Sequence, residues 1–339
     1  MKGAQGIALL LALAALVAGA VVVVRFVEAQ PAAAREHSRA PEVPVPGTGP
    51  TPIAMTPLPD GTVRVEHVYG TAVIPAKPRR VASLGWNDEL IAAGVRPHAA
   101  AGNGALGFEP HLAEHLRGTV LVDVTAGGPD LETLAAAKPD LIIAVWYWQG
   151  NQAQLEAIAP TVVLQPGHWY WRERFLDVAA LVGRLDEGKA RLAAVEARIA
   201  TVRERIHRRV GDGTVAMLRV FAREYRLYGH GYSGPLLYGD LGLRPPRLIA
   251  EVGDTRDLTR LSLEGITTLD ADHLLLMYEA RVPISRYELD RLLAHPVWQR
   301  LPAVRAGHVY PVPDLLMRGG VISREVILDQ LATLLGGET

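Results

Sequence analysis

The chain contains no cysteine among its 339 residues. This absence excludes disulfide bonds, thiolate zinc sites, cysteine-ligated iron–sulfur clusters and a cysteine nucleophile, and it leaves no cysteine for an N-terminal lipid. The chain also lacks an excess of positive charge, since its formal net charge is −1. Proteins that bind nucleic acid are normally basic, so we expect no nucleic-acid partner.

Long hydrophobic runs are absent except at the N-terminus. There Lys2 precedes an uncharged run from Ile7 to Val24, and Arg25 ends it. This layout is typical of a secretory signal peptide, with candidate cleavage sites after Ala20 and after Ala29. A run of about 18 residues can also span a bilayer. We therefore expect residues 1–29 to be a signal peptide or a membrane anchor. The rest of the chain is expected to be periplasmic or extracytoplasmic.

Residues 30–60 are rich in proline and alanine and contain few large hydrophobic side chains. This composition predicts an extended linker. The folded part is expected from residue 61, because the sequence VRVEHVYGTAVIP from Val63 alternates in polarity and predicts a hairpin that turns at Gly70-Thr71.

Short apolar runs alternate with helical patterns in residues 61–183, and this alternation predicts an α/β lobe with a mainly parallel sheet. The predicted strands are residues 81–84, 120–122, 141–145 and 161–164. The predicted helices are residues 87–93, 131–137 and 152–159.

A single long helix is predicted next, over residues 186–210. Apolar residues recur there at spacings of three and four, which gives one buried stripe on an otherwise charged rod; they are Leu192, Val195, Ile199, Val202 and Ile206. About 24 residues would extend for roughly 36 Å. Residues 184–211 are therefore expected to connect two lobes.

A second α/β lobe is predicted over residues 212–339. Its strand candidates are residues 215–220, 274–277 and 308–312, and its helix candidates are residues 233–241, 288–294 and 321–335. The two lobes share a local pattern of a helix-capping residue, Leu, Glu, and an Asp eight residues after that Glu. The pattern gives Glu132 with Asp140 and Glu264 with Asp272. It indicates one helix-turn-strand unit used in each lobe, although any α/β chain can produce such echoes.

Two short motifs suggest other functions. Residues 102–107 match G-x-G-x-x-G, but Pro110 blocks the helix that a dinucleotide site requires, so a surface loop is expected. Residues 111–115 match the zinc-peptidase spacing H-x-x-E-H, but a third ligand is not evident. An extracytoplasmic zinc-dependent hydrolase therefore stays an alternative function.

Aromatic and cationic side chains collect after the predicted strands. The first lobe contributes Trp86, Trp146, Trp148 and Trp169, and the second contributes Arg219, Arg223, Tyr228, Tyr278 and Arg318. The carboxyl ends of parallel strands meet at one sheet edge, where ligands bind. These residues predict a cleft for a bulky, partly apolar ligand with net negative charge, although some of the tryptophans could instead fill the seam between sheet and helices.

The sequence LIIAVWYWQG carries three of these rings in succession. On extended backbone alternate residues face the same side. We therefore expect Trp146 and Trp148 to face the ligand together, with Tyr147 on the other side.

The sequence as a whole resembles the extracytoplasmic binding proteins that deliver ferric siderophores, haem or cobalamin to ABC importers. The resemblance covers nearly all of residues 63–335 and rests on four blocks taken in order. These are IPAKPRRVASLGWNDELIAAGVRP, LETLAAAKPDLIIAV, IAPTVVLQ and LAHPVWQRLPAVRAGHVYPV.

The resemblance implies two α/β lobes joined by one long helix, with the ligand in the cleft between them. It implies a monomeric, non-enzymatic receptor for a ferric siderophore, with no cofactor of its own because the iron arrives in the chelate. Arg219 and Tyr228 match cleft positions, and Glu132 and Glu264 match the glutamates that dock on the permease. Haem or cobalamin, or a membrane-tethered sensor role, are the alternatives. Met317 and Arg318 depart from the family, in which many members carry an aromatic residue there.

Overall fold

A computed structural model describes residues 53–125, 128–165, 170–221, 224–229, 231–232, 234–252, 258–278, 283–313 and 319–337. The predicted signal or anchor and most of the predicted linker lie outside these ranges, as do Trp169, Arg223 and Arg318. Within the described ranges, no helix is long and apolar enough to cross a membrane.

The described chain begins with a three-stranded antiparallel sheet. It contains β1 (Met55–Pro57), β2 (Thr62–His67) and β3 (Gly70–Pro75) in that order. The predicted hairpin is confirmed, but it turns at Val68-Tyr69, because His67 pairs with Gly70. The strand β1 lies inside the range that composition assigned to the linker, so the folded part starts earlier than predicted.

The first lobe contains a six-stranded sheet of order β7-β6-β5-β4-β8-β9. Its strands are β4 (Val81–Leu84), β5 (Ala99–Gly102), β6 (Val120–Thr125), β7 (Gly128–Pro129), β8 (Leu141–Val145) and β9 (Thr161–Leu164). Every pairing except β6–β7 is parallel. All residues of β4, β8 and β9 are buried, as expected for a sheet covered on both faces. Its helices are α1 (Asn87–Ala92), α2 (Leu131–Ala136), α3 (Gln152–Ile158) and α4 (Trp171–Leu181).

The predicted long helix is present as α5 (Leu185–Val210), with 26 residues. Val195, Ile199, Val202 and Ile206 are buried along one side of it, so the apolar stripe is confirmed. Gly211, with a φ of +58°, ends the helix, because glycine takes up positive φ without steric cost.

The second lobe contains a five-stranded sheet of order β12-β11-β10-β13-β14. Its strands are β10 (Val215–Phe221), β11 (Glu224–Tyr228), β12 (Leu258–Leu261), β13 (His273–Tyr278) and β14 (Val309–Pro313). The β10–β13 and β13–β14 pairs are parallel, whereas β10–β11 and β11–β12 are antiparallel. The predicted fold class is confirmed, but β11 and β12 were not predicted as strands.

The second lobe has helices that were predicted with other bounds and two, Arg247–Val252 and Pro302–Arg305, that were not predicted. The helices are α6 (Arg247–Val252), α7 (Pro283–Ala294), α8 (Pro302–Arg305) and α9 (Val321–Leu334), together with 3-10 helices at Gly265–Thr268 and Trp298–Arg300. The helix predicted over 233–241 is a π-helix at Pro235–Asp240.

The repeated unit is visible in the structure through its two aspartates. The Asp140 carboxylate accepts hydrogen bonds from the backbone N–H groups of Arg79 and Arg80, both at 2.8 Å. The Asp272 carboxylate accepts from the N–H and the hydroxyl of Thr214, also at 2.8 Å. Each aspartate thus precedes one strand and holds the start of its parallel neighbour, β4 in one lobe and β10 in the other.

A carboxylate of the first lobe caps the C-terminal helix. Asp88 of α1 accepts from the N–H groups of Ile322 (2.5 Å) and Ser323 (3.1 Å) at the start of α9, and from the Ser323 hydroxyl. A Cβ at Gly320 would lie 2.3 Å from the Asp88 Cγ, so only glycine fits there. An anionic cap suits the positive end of the helix.

A second contact joins the lobes through charge. Asp240 of the π-helix pairs with Arg172 of α4 at 3.0 Å and with Arg324 of α9 at 2.8 Å. Both guanidinium groups lie over the Trp171 ring, 4.5 and 4.3 Å from its centroid. Buried charges persist where they are paired, and here one carboxylate is shared between two arginines from different elements.

Candidate functional site

The carboxyl ends of β4 and β8 carry two tryptophans of the predicted cleft. Trp86 follows β4, and its indole N–H donates to the carbonyl of Ala144 in β8 at 3.1 Å. Trp148 follows β8, and its indole N–H donates to the carbonyl of Leu84 in β4 at 3.3 Å. Trp86 is only 4% exposed, whereas Trp148 is half-buried.

The chain does not stay extended through the three successive rings. A 3-10 segment, Trp146–Asn151, follows β8 directly and has a kink at Trp148 (φ −86°, ψ 15°). Such a helix has three residues per turn, so the alternation that would have placed Trp146 and Trp148 on one side does not apply. The prediction assumed extended backbone through Trp148, and this assumption is wrong. The structure describes only the backbone of Trp146 and Tyr147.

The second lobe places Arg219 in β10 and Tyr228 in β11 side by side. An Arg219 Nη donates to the Tyr228 hydroxyl at 3.3 Å. Tyr228 is 1% exposed, and its ring meets that of Tyr232 edge to face at 5.4 Å. The buried tyrosine hydroxyl therefore helps to orient the half-buried Arg219 side chain. Tyr278 is half-buried at the end of β13.

Three arginines lie in a row across neighbouring strands of this sheet. Arg219 pairs with Arg226 of β11, and Arg226 pairs with Arg260 of β12. Directly opposed residues share one face of a sheet, and like charges there are destabilising. The arginine row (Arg219, Arg226 and Arg260) places three cationic side chains on one face of this sheet, where an anionic ligand could contact them.

The sequence indicated only part of this row. Arg219 was predicted as a cleft residue, whereas Arg260 was missed because β12 was not recognised as a strand. The run Leu258–Leu261 has the sequence LTRL, in which two polar residues lie between two leucines, so the sequence gives no alternation to mark a strand.

The two glutamates of the repeated unit are both exposed. Glu132 lies in the first turn of α2, whose cap Asp130 accepts from the N–H groups of Glu132 and Thr133 at 3.1 Å. Glu264 precedes the 3-10 helix Gly265–Thr268. A backbone hydrogen bond, and then one from Ser262, lowers the pKa of Glu264, so it stays anionic at neutral pH.

The H-x-x-E-H spacing is not a zinc site. Its residues lie in turns between β5 and β6, His111 is hydrogen-bonded to the Ser323 hydroxyl at 2.8 Å, and Glu114 pairs with Arg117. In the described part of the chain, no group of three or more His, Asp or Glu side chains could hold a metal ion. The glycines of residues 102–107 form a loop, as predicted.

A cavity of about 490 Å³ lies at the opposite end of the second lobe, where β13 and β14 begin. His273 and His308 stack inside it with centroids 4.5 Å apart. Burial, and then the proximity of His308, lowers the pKa of His273. This cavity is remote from the carboxyl ends of the strands, where the candidate site lies.

Comparison with known proteins agrees with this architecture. The Fe(3+) dicitrate-binding periplasmic protein FecB of Escherichia coli K12 is 30% identical over 284 residues, covering 79% of this chain and 88% of that protein. The probable siderophore-binding lipoprotein YfiY of Bacillus subtilis 168 is 27% identical over 292 residues, covering 80% and 87%.

The fold is shared with Staphylococcus aureus SirA, solved in complex with staphyloferrin B. The TM-score is 0.71 at 24% identity, with 81% of this chain and 99% of that chain covered. A family model described as periplasmic binding protein matches residues 100–315. The chain therefore belongs to the periplasmic binding protein family and is a binding protein, not an enzyme.

Proposed function

We propose that this protein binds a ferric siderophore outside the cytoplasmic membrane and delivers it to an ABC importer. The observation that carries the proposal is the arginine row on one face of the second lobe's sheet. Guanidinium groups in register suit a ligand with several anionic oxygens, because each planar fork donates two parallel hydrogen bonds to a carboxylate.

The iron is cargo in this proposal. The siderophore oxygens surround the ferric ion, so the protein binds the outside of the chelate through charge and ring contacts. The names of the relatives, which include dicitrate-binding and siderophore-binding proteins, support this class of ligand.

The ligand-facing residues that we propose are the arginine row, Tyr278 and Trp148. Trp146, Trp169, Arg223 and Arg318 stay predictions on sequence grounds. Trp86 and Tyr228 are buried, and we assign them support of Trp148 and Arg219 respectively.

Delivery requires docking on the importer. Glu132 and Glu264 are exposed at the same point of the repeated unit in each lobe, which suits a permease with two similar basic sites. We propose that the protein acts as a monomer and that residues 1–29 direct it across the membrane, by cleavage or as an anchor.

The binding test compares anionic and neutral chelates. Tryptophan fluorescence and calorimetry would be measured with ferric dicitrate, a ferric catecholate and a ferric hydroxamate, each beside its iron-free form. We expect Arg226→Gln and Arg260→Gln each to weaken binding of the anionic chelate by roughly tenfold, since a hydrogen bond to a charged group contributes about 1.5–3 kcal/mol.

Arg305→Gln is the matched control, because Arg305 is exposed on α8, outside the row. Absence of binding to all three chelate types by the wild-type protein would refute the proposed function. Equal affinities of the row variants and the control would refute the role of the row.

A further inference from the structure

We infer that Trp86 and Trp148 are positioning residues that together fix the wall of the cleft formed by the first lobe. This inference rests on the proposed function and adds to it a structural cause of affinity. The pair is called the tryptophan clasp below.

The clasp is reciprocal. Trp86 comes from the end of β4 and bonds to β8, while Trp148 comes from the end of β8 and bonds to β4. The two carbonyls that accept these bonds belong to Leu84 and Ala144, which are the last residues paired in the β4–β8 register. The indoles therefore cross over the point where the two strands part.

The carbonyls that accept these bonds are buried. Leu84 and Ala144 are fully buried, so water does not reach their oxygens, and a buried carbonyl without a partner is costly. Each indole N–H is thereby committed to the protein. Trp86, which also lies in the main apolar core, contributes no free face to the cleft, and Trp148 contributes its half-buried ring.

The clasp holds the 3-10 segment Trp146–Asn151 near its middle, at Trp148. Close packing at Asn151 holds its C-terminal end. A Cβ at Gly128 of β7 would lie 2.8 Å from the Asn151 Oδ1, and Gly128 has a φ of +118°. The segment that carries Trp146 and Tyr147 is thus fastened to β4 on one side and to β7 on the other.

Such fastening orders the binding wall before the ligand arrives. A preordered site loses less conformational entropy on binding than a loose one. Replacement of either tryptophan by phenylalanine removes the indole N–H and leaves a smaller ring, and it should loosen the segment. At Trp86, which is buried, the replacement does this without removing a ligand contact.

The test uses Trp148→Phe and Trp86→Phe, with Trp298→Phe as control because Trp298 is equally buried but lies in the second lobe. Amide hydrogen exchange of residues 146–151 would be measured in the ligand-free proteins. Affinity would be measured for whichever ferric chelate the wild-type protein binds. We expect faster exchange in 146–151 and about three- to tenfold weaker binding for the two clasp variants only.

The outcomes separate this inference from the proposed function. Unchanged exchange at 146–151 in Trp148→Phe would overturn the clasp, even if the wild-type protein binds no chelate at all. Faster exchange with unchanged affinity would overturn its role in binding. If Trp86→Phe does not fold, hydrogen exchange in Trp148→Phe alone tests the clasp, because the half-buried site of Trp148 tolerates the smaller ring.

Discussion

Replacement of Glu89 by glutamine should stabilise this protein at neutral pH. Glu89 of α1 is 8% exposed and lies next to Asp88, whose carboxylate caps α9. The other charged groups near it are Arg324 of α9 and its partner Asp240, and His111 lies 3.8 Å from Asp88. Burial first, and then repulsion by Asp88, raises the pKa of Glu89 to about 8.

The sign of the effect follows from proton binding. Between its ordinary pKa of 4.5 and the folded value of about 8, the folded state keeps a proton on Glu89 that the unfolded state releases. The free energy of unfolding therefore falls as the pH rises through this window and becomes level above it. At pH 7 the loss is at most about 3 kcal/mol, at 1.36 kcal/mol for each pH unit above the ordinary pKa.

Glu89→Gln imitates the protonated acid in shape and cannot ionise. We expect it to gain up to about 3 kcal/mol over the wild type at pH 7 and little at pH 4.5. The assay is urea denaturation followed by circular dichroism at several pH values between 4.5 and 9, with Glu204→Gln as control, because Glu204 is exposed on α5. Parallel pH profiles for the wild type and Glu89→Gln would refute the reasoning.

Three further predictions concern the Asp88 cap of α9, the docking glutamates and the histidine stack. Asp88→Asn should lower the free energy of unfolding by about 1–3 kcal/mol, because the charged cap of α9 is lost. Glu132→Ala and Glu264→Ala should leave chelate affinity unchanged and abolish stimulation of the importer's ATPase. His308→Gln should reduce the loss of stability on acidification below about pH 6.5, since the lowered pKa of His273 makes protonation costly in the folded state.

Each of these has a direct check. Denaturation at pH 6 that gives equal stability for Asp88→Asn and the wild type would contradict the cap. A normal ATPase response in reconstituted importer with both glutamates replaced would contradict docking. Thermal melts between pH 5 and 8 that are identical for His308→Gln and the wild type would contradict the histidine coupling.

The central strands and α5 could be predicted because the burial of each element leaves a pattern within its own sequence. Strands β4, β8 and β9 are buried on both faces, so their sequences are unbroken apolar runs. The buried positions of α5 recur at helical spacing, so its period is visible without any knowledge of its partners.

The antiparallel edge of the second lobe could not be read in the same way. The β11 strand, Glu224–Tyr228, includes Glu224 and Arg226, and charged residues at such short spacing resemble those of a loop. The 3-10 helix after β8 was also missed, and its Trp148 is hydrogen-bonded to a residue 64 positions earlier, which no local pattern reveals. Contacts such as Asp88 with Ser323 join residues 235 positions apart and leave no local pattern.

The cap of α9 by Asp88 also has a consequence for the order of events in the cell. A ribosome that adds about 5–20 residues per second needs roughly 12–47 seconds to pass from Asp88 to Ser323. Until then the carboxylates of α1 stay in water, because α9, the helix that Asp88 caps, has not yet been synthesised. A nascent chain therefore cannot complete its fold before α9 has been synthesised.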